Sequence, residues 1–377
     1  VVERLRSLGL EPELQETTAV FARDALAGRV TNILARLKGT ANTKAVLLAA
    51  HYDSVPSGPG AGDNASGVAV LLETLRALRA GPPLANDVIF LFTDGEEVGL
   101  LGAAAFTAEH PWARDVGLVL NFDARGNSGP ALMFETTPGN GRLIELLREN
   151  VAHPRASSLT YAVYQRMPND TDLTVFRSAG LAGLNFAFIG NLEAYHTRLD
   201  TPANLSAATL EQQGAYALAI ARAAGNIDLR RAPRADRIYF NAFGSELAVY
   251  PQSWAVPLSV AALALLFVVL VIQLRRGLLT PGGLALAAAV PPLAVGAAAG
   301  FALLMVAGAR WLHRAIVPSG GVSMSDWYAA AVAALAIAIT VALIYLVHRR
   351  VAAIALSVGA LIWWLVLAIA ASVFLPG

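Results

Sequence analysis

The chain has no cysteine. Disulfides, thiolate-ligated zinc and a thiol nucleophile are therefore excluded, and thiol usage gives no clue to compartment. Acidic residues are nearly missing from the last third. Residues 254–377 hold one, Asp326, against six arginines: Arg275, Arg276, Arg310, Arg314, Arg349 and Arg350. The preceding residues carry the other 22 basic and 26 acidic side chains, so a net charge of +1 hides a mildly acidic part joined to a basic, apolar one. Neither part has the basic patch of a nucleic-acid binder, and nucleic acid is not an expected partner. Internal repeats and low-complexity linkers are also missing. What is present in excess is apolar: 56% of the 377 residues are hydrophobic and the mean hydropathy is +0.54, too high for one soluble domain.

The excess lies in four stretches, Trp254–Gln273, Leu284–Gly308, Trp327–Val347 and Val351–Phe374. Each is long enough to cross a bilayer as a helix, which makes the lipid bilayer an expected partner. Pro291–Pro292 predicts a kink in the second. Trp254, Trp311, Trp327 and Tyr328 fall near the ends, where amphipathic rings favour the interface. The first loop carries Arg275 and Arg276 and the third His348, Arg349 and Arg350; the second carries Arg310 and Arg314 with Asp326. The positive-inside rule then puts residues 1–253 on the extracytoplasmic side. An Ala- and Arg-rich composition points to a bacterial inner membrane with this part facing the periplasm. A eukaryotic source would put it in the lumen of the endoplasmic reticulum or vacuole.

Before position 254, short apolar runs alternate with helical patterns. Ala45–Ala50, Val88–Thr93, Leu118–Phe122 and Leu184–Phe188 read as buried strands. Ala65–Ala80, Gly99–Glu109, Gly141–Val151, Leu173–Ala179 and Ala207–Ala224 read as helices. The alternation predicts an α/β fold, a mixed and mostly parallel sheet flanked by helices, followed by an α-helical transmembrane domain. The predicted organisation is a domain over residues 1–228, a connector over 229–253 with a hairpin at Asp236–Tyr250, and about four spans over 254–377. In α/β folds, ligands bind beyond the carboxyl ends of the strands.

That is where the reactive side chains fall. His51 follows the first strand, in His51-Tyr-Asp53, and Asp53 is placed to fix the other ring nitrogen of the histidine. Asp63 sits in a Gly-rich turn before a helix, a position that by itself also suits a helix cap. Glu96 and Glu97 follow the second strand as adjacent carboxylates, which repel unless a cation compensates. Asp123 follows the third, and His196 lies in a polar loop. His110, His153, His313 and His348 lack a carboxylate context and read as surface or interfacial. Two imidazoles and three carboxylates can hold a pair of zinc ions if one carboxylate bridges them, with Glu96 left as a base. Nitrogen and oxygen donors without sulfur suit zinc, with cobalt or manganese as possible substitutes.

The segments HYDS, GAGDNASGVAVLLE, FLFTDGEEVGLLGA, NFDARG and YHTRLDTPANL resemble the M28 family of co-catalytic zinc peptidases, in its membrane-embedded branch. The resemblance covers about residues 1–228; the apolar tail matches that branch in kind, not by motif. It implies that His51 and Asp123 bind one zinc ion, that Glu97 and His196 bind the other, and that Asp63 bridges them. It further implies Glu96 as general base, Asp53 as partner of His51, and a strained peptide at Asp63–Asn64. The branch usually has more than four spans, and the chain stops in an apolar run at Pro376–Gly377, so a longer chain is expected.

The expected activity is that of a membrane-anchored aminopeptidase acting on peptide substrates, with metal-activated water and a glutamate base. Asp170 and Asp172 are candidates for lining the specificity pocket, and Tyr195 for supporting the oxyanion. The alternatives are a glutaminyl-cyclase-like transferase, which uses one zinc, and a non-catalytic receptor or scaffold on the same fold. The full ligand set weighs against both.

Overall fold

In a computed structural model, residues 1–21, 23, 25–231, 234–244, 246–312 and 325–374 are described. His313 and Arg314 lie outside the described residues. The chain divides into two compact units, Val1–Gln252 and Ser253 onward.

The first unit is built on a seven-stranded sheet. Its elements run α1 (Val2–Ser7), β1 (Glu13–Phe21), β2 (Leu26–Leu37), β3 (Ala45–His51), α2 (Ser66–Arg79), β4 (Val88–Thr93), α3 (Leu101–Glu109), β5 (Val116–Ala124), β6 (Leu132–Thr136), α4 (Gly141–Asn150), α5 (Ser158–Tyr164), α6 (Asp172–Ser178), β7 (Gly183–Phe188) and α7 (Ala207–Ala224), followed by a hairpin of β8 (Arg237–Ala242) and β9 (Glu246–Pro251). The strand order is β1-β2-β4-β3-β5-β7-β6. The four central strands, β4, β3, β5 and β7, are parallel; β1, β2 and β6 join antiparallel at the two edges.

Strand β3 shows why the central runs are continuously apolar. All seven of its residues are buried. Successive side chains point to opposite faces, so Val46, Leu48 and Ala50 enter one core with Leu71 and Leu75 of α2 and Ile220 of α7. Ala45, Leu47 and Ala49 enter the other, with Phe106 of α3 and Phe176 of α6. A sheet covered on both faces admits no polar alternation. The outer hairpin β1–β2 obeys the opposite rule. Its register runs from Glu13 opposite Leu34 to Phe21 opposite Leu26, and most of β1 is partly or fully exposed. Its polar pattern, ELQETTAVF, gave no strand signal in the sequence.

The parallel strands set their carboxyl ends on one edge of the sheet. His51 is the last residue of β3, in register with Thr93, the last of β4. Asp123 lies one residue before the end of β5.

The second unit consists of α8 (Ala255–Arg275), α9 (Pro281–Leu312), α10 (Ser325–His348) and α11 (Ala353–Phe374). Among the described residues, four segments, 252–275, 281–308, 327–348 and 353–374, are long and apolar enough to cross a membrane. Helix α9 continues through Pro291 and Pro292. It packs on α11 where Gly359 meets Ala287; a Cβ at Gly359 would come within 2.8 Å of that backbone. The Trp363 indole N–H donates to the Ala288 carbonyl at 2.7 Å. Elsewhere the helices present large apolar side chains outward, among them Leu265, Leu303 and Trp364. Lipid satisfies such a surface and water does not.

Candidate metal centre and cavity

Three turns and a loop bring the reactive side chains together at the strand ends. His51 extends from β3 with its side chain 2% exposed, and its Nε2 lies 3.1 Å from Asp63 Oδ1 and 3.4 Å from Asp123 Oδ1. His196 Nε2 lies 3.1 Å from Asp63 Oδ2 and 3.1 Å from Glu97 Oε2. The two oxygens of one carboxylate, Asp63, thus face two different imidazoles. His51, Asp63 and Asp123 form one group able to hold a metal ion, and Asp63, Glu97 and His196 form a second.

The backbone around Asp63 is built to hold that position. The turn Ala61–Ala65 leads into α2, and the Asp63–Asn64 peptide is cis. Asp200 accepts from the Gly62 amide at 2.6 Å and from the Asp63 amide at 3.0 Å. Gly62 admits no side chain, because a Cβ there would lie 2.3 Å from the Gly126 carbonyl oxygen. Asn64 donates to the Phe122 carbonyl and accepts from the Gly67 amide, tying the turn to β5 and α2. The sequence reading assigned Asp200 no role. Its only signal was its place in the loop that carries His196.

Asp53 does two things. Its carboxylate accepts from the amides of Glu96 and Glu97, both at 3.1 Å, which fixes the turn after β4. It also lies 3.4 Å from His51 Nδ1, while its carbonyl lies 3.1 Å from the same nitrogen. The non-ligand nitrogen of His51 is thereby oriented, as metal-binding histidines generally require.

The electrostatics are those of a carboxylate cluster that wants a cation. Burial pushes Glu96 well above the usual carboxylate range; His51 opposes the shift and Asp123, Asp172 and Asp63 add to it. Burial raises Glu97 and Asp123 as well. Asp63 goes the other way: burial would raise it, but hydrogen bonds from His196 and His51 hold it below its ordinary value. Burial would lower His196, yet contacts with Asp63 and Glu97 push it up to about 9. Glu97 Oε1 is buried and has no hydrogen-bond partner among the described residues. A buried carboxylate oxygen left unpaired is costly, and a metal ion would satisfy it. The all-nitrogen and oxygen donor set and this orphaned oxygen fit zinc.

Beside the cluster opens a cavity of about 650 Å³, reached by Asp63, Glu96, Glu97 and Asp123. Tyr195 lines it and stacks on the His196 ring, centroids 3.7 Å apart. Burial and then the carboxylates of Asp63, Asp123 and Glu97 raise the Tyr195 hydroxyl, which stays protonated. Asp170 is on the wall, paired with Arg23 at 2.5 Å. Asp172 does not line the cavity. It is 1% exposed behind the wall, where Thr93 donates to it at 2.5 Å. The reason is its position as the first residue of α6, which packs under the sheet. Its buried carboxyl is pushed up to about 7, first by desolvation. His110 also departs from the sequence reading: it is buried, with Nε2 3.0 Å from Glu13 Oε1 on the outer hairpin.

Comparison with known proteins agrees with the motifs. The profile of peptidase family M28 matches residues 32–221, half of the chain. Endoplasmic reticulum metallopeptidase 1 of Rattus norvegicus is 33% identical over 255 residues, covering 64% of this chain and 28% of that protein. The vacuolar membrane protease of Candida albicans (strain WO-1) is 39% identical over 182 residues, covering 48% and 21%. The chain thus spans under a third of the length of these curated relatives. Among solved structures, a glutaminyl cyclase from Porphyromonas gingivalis aligns over 58% of this chain and 86% of that one, with 22% identity and a TM-score of 0.46.

Proposed function

The chain belongs to peptidase family M28, and on that premise we propose that it is a membrane-anchored zinc aminopeptidase whose catalytic unit lies on the extracytoplasmic side. The observation that carries the reading is the Asp63 carboxylate, shared between two imidazoles that each have a further carboxylate beside them. His51 and Asp123 would hold one zinc ion, Glu97 and His196 the other, and Asp63 both. Bound there, zinc would supply Lewis-acid polarisation of water and of the scissile carbonyl.

The remaining chemistry belongs to the chain. Glu96 reaches the cavity but is outside both ligand groups. Its carboxylate takes a proton from the attacking water as the oxygen bonds to the carbonyl carbon. It then gives that proton to the amine nitrogen as the C–N bond breaks. Asp53 orients His51 and, through two amides, the Glu96–Glu97 turn. The Tyr195 hydroxyl donates to the oxygen that becomes anionic. The apolar helices hold this unit at the bilayer, and the arginines of the first and third loops favour the cytoplasm.

The test is hydrolysis of aminoacyl amides and N-blocked peptides by detergent-purified protein, with and without chelator and added zinc. Chelator-sensitive cleavage of free-amine substrates alone is the expected result; cleavage confined to blocked substrates would overturn the aminopeptidase assignment. Glu96→Gln should lower kcat about 10²–10⁴-fold with metal content unchanged.

A further inference from the structure

We propose that Arg125 is the receptor for a substrate carboxylate, and that the site takes short peptides with a free carboxyl terminus, dipeptides and tripeptides foremost. The inference rests on the peptidase reading above and narrows its substrates. Arg125 is the first residue beyond β5, two positions past Asp123. Its amide donates to the Phe188 carbonyl at the end of β7, at 2.8 Å, so its backbone is fixed to the sheet. Its side chain is half-buried and lines the cavity beside the carboxylates of the metal cluster.

What sets Arg125 apart is the lack of an acid for it. Among the described residues its guanidinium has no ion pair or hydrogen bond. Its side-chain contact is the face of Tyr195, 5.5 Å from the ring centroid. Of the other acids that line the cavity, Asp63, Glu97 and Asp123 face the two histidines, Asp170 is paired with Arg23, and Glu96 is the proposed base. A half-buried cation without an anion costs desolvation energy that its contact with the Tyr195 ring offsets only in part. The guanidinium carbon lies over the Tyr195 ring, and among the described residues no acceptor takes its N–H groups.

The rest of the cavity narrows the choice of anion. Leu132, Phe134, Val163, Tyr164, Met167 and Ile189 also line the cavity and make much of its surface apolar. These apolar side chains accept aliphatic or aromatic groups, and the uncharged residues of the lining offer a carboxylate no counter-ion. A peptide seated with its scissile carbonyl at the cluster would therefore meet, among the described residues, one cation without a paired acid, Arg125, at its carboxyl end. The volume, about 650 Å³, is in the range of small-ligand sites. Arginine suits the role because its planar fork matches a carboxylate with two parallel hydrogen bonds, which lysine cannot reproduce.

The experiment is calorimetric titration of the zinc-loaded full chain carrying Glu96→Gln, in detergent, with leucyl-leucine and with leucyl-leucinamide. The free acid should bind about 10- to 100-fold more tightly than the amide. Adding Arg125→Ala should bring the acid to the level of the amide and leave amide affinity unchanged, which shows that the site is intact. Arg125→Lys should restore part of the preference. Equal affinities for acid and amide, no binding of either, or a preference that survives Arg125→Ala would overturn the proposal. Hydrolysis by the unmutated chain is scored separately. If it cleaves both peptides but calorimetry shows no preference, the peptidase reading stands and the carboxylate site falls. If the preference is seen without cleavage of either, the peptidase reading falls and the carboxylate site stands.

Discussion

The two candidate metal groups share Asp63 and differ in almost everything else. His51 is the end of a strand buried on both faces, and its side chain is 2% exposed, with Asp123 at 10%. His196 sits in a loop, with a side chain 34% exposed and a left-handed φ of 57°. A non-glycine residue in that region is held there by its surroundings. Here the holders are the Tyr195 ring stacked on it and the Ser57 hydroxyl, which donates to its carbonyl at 2.9 Å. One imidazole is thus positioned by a strand buried on both faces and the other by a neighbouring ring and one hydrogen bond from the loop after β3. The lesson is that a symmetric ligand list can hide an asymmetric site. The His51 side should hold its ion more tightly and exchange it more slowly, and the His196 side should be the one that opens.

Changing the shared residue should abolish the contrast. Asp63→Asn is expected to lose both ions together and to lower activity by more than the roughly 10⁴-fold upper end for loss of a general base; metal analysis and peptide hydrolysis check this. Retention of one full equivalent would show that Asp63 is not common to both groups. The next largest effect separates the halves. His196→Ala should keep about one ion per chain and a near-native melting temperature, whereas His51→Ala should lose metal and destabilise the sheet edge, with Tm and zinc content as the readouts. Indistinguishable variants would break the comparison. The smallest effect is that of Asp200→Asn, which touches no candidate ligand side chain but weakens the cradle of Gly62 and Asp63. A residue that positions ligands from behind typically costs about 10- to 100-fold in metal affinity, and competition with a chromogenic chelator measures it.

Much of this was legible in the sequence because the central strands are covered on both faces. A fully buried strand must be a continuous apolar run, and its carboxyl end is a defined place. His51, Glu96, Glu97 and Asp123 were therefore found by position as well as by type. The outer hairpin β1–β2 was not legible: half-exposed edge strands alternate with polar residues and look like a solvated segment. That omission also misread His110, whose carboxylate partner, Glu13, comes from the same hairpin. Asp172 looked like a pocket residue because it is an acid near Asp170. Two residues further on, as the first residue of α6, it turns under the sheet, toward Thr93 instead of the cavity. Asp200 and Arg125 were present in quoted motifs, yet their parts depend on distances across the fold. Asp200 meets Gly62 from 138 positions away, a pairing no local pattern encodes. The four apolar helices were evident because length and composition alone mark them.

The most direct test of the central claim is the metal content of the full chain, purified in detergent, reconstituted with zinc and freed of excess, by mass spectrometry of the bound metal. Two zinc ions per chain, one lost to a chelator well before the other, is the expected result. A single ion, or none, would contradict the account.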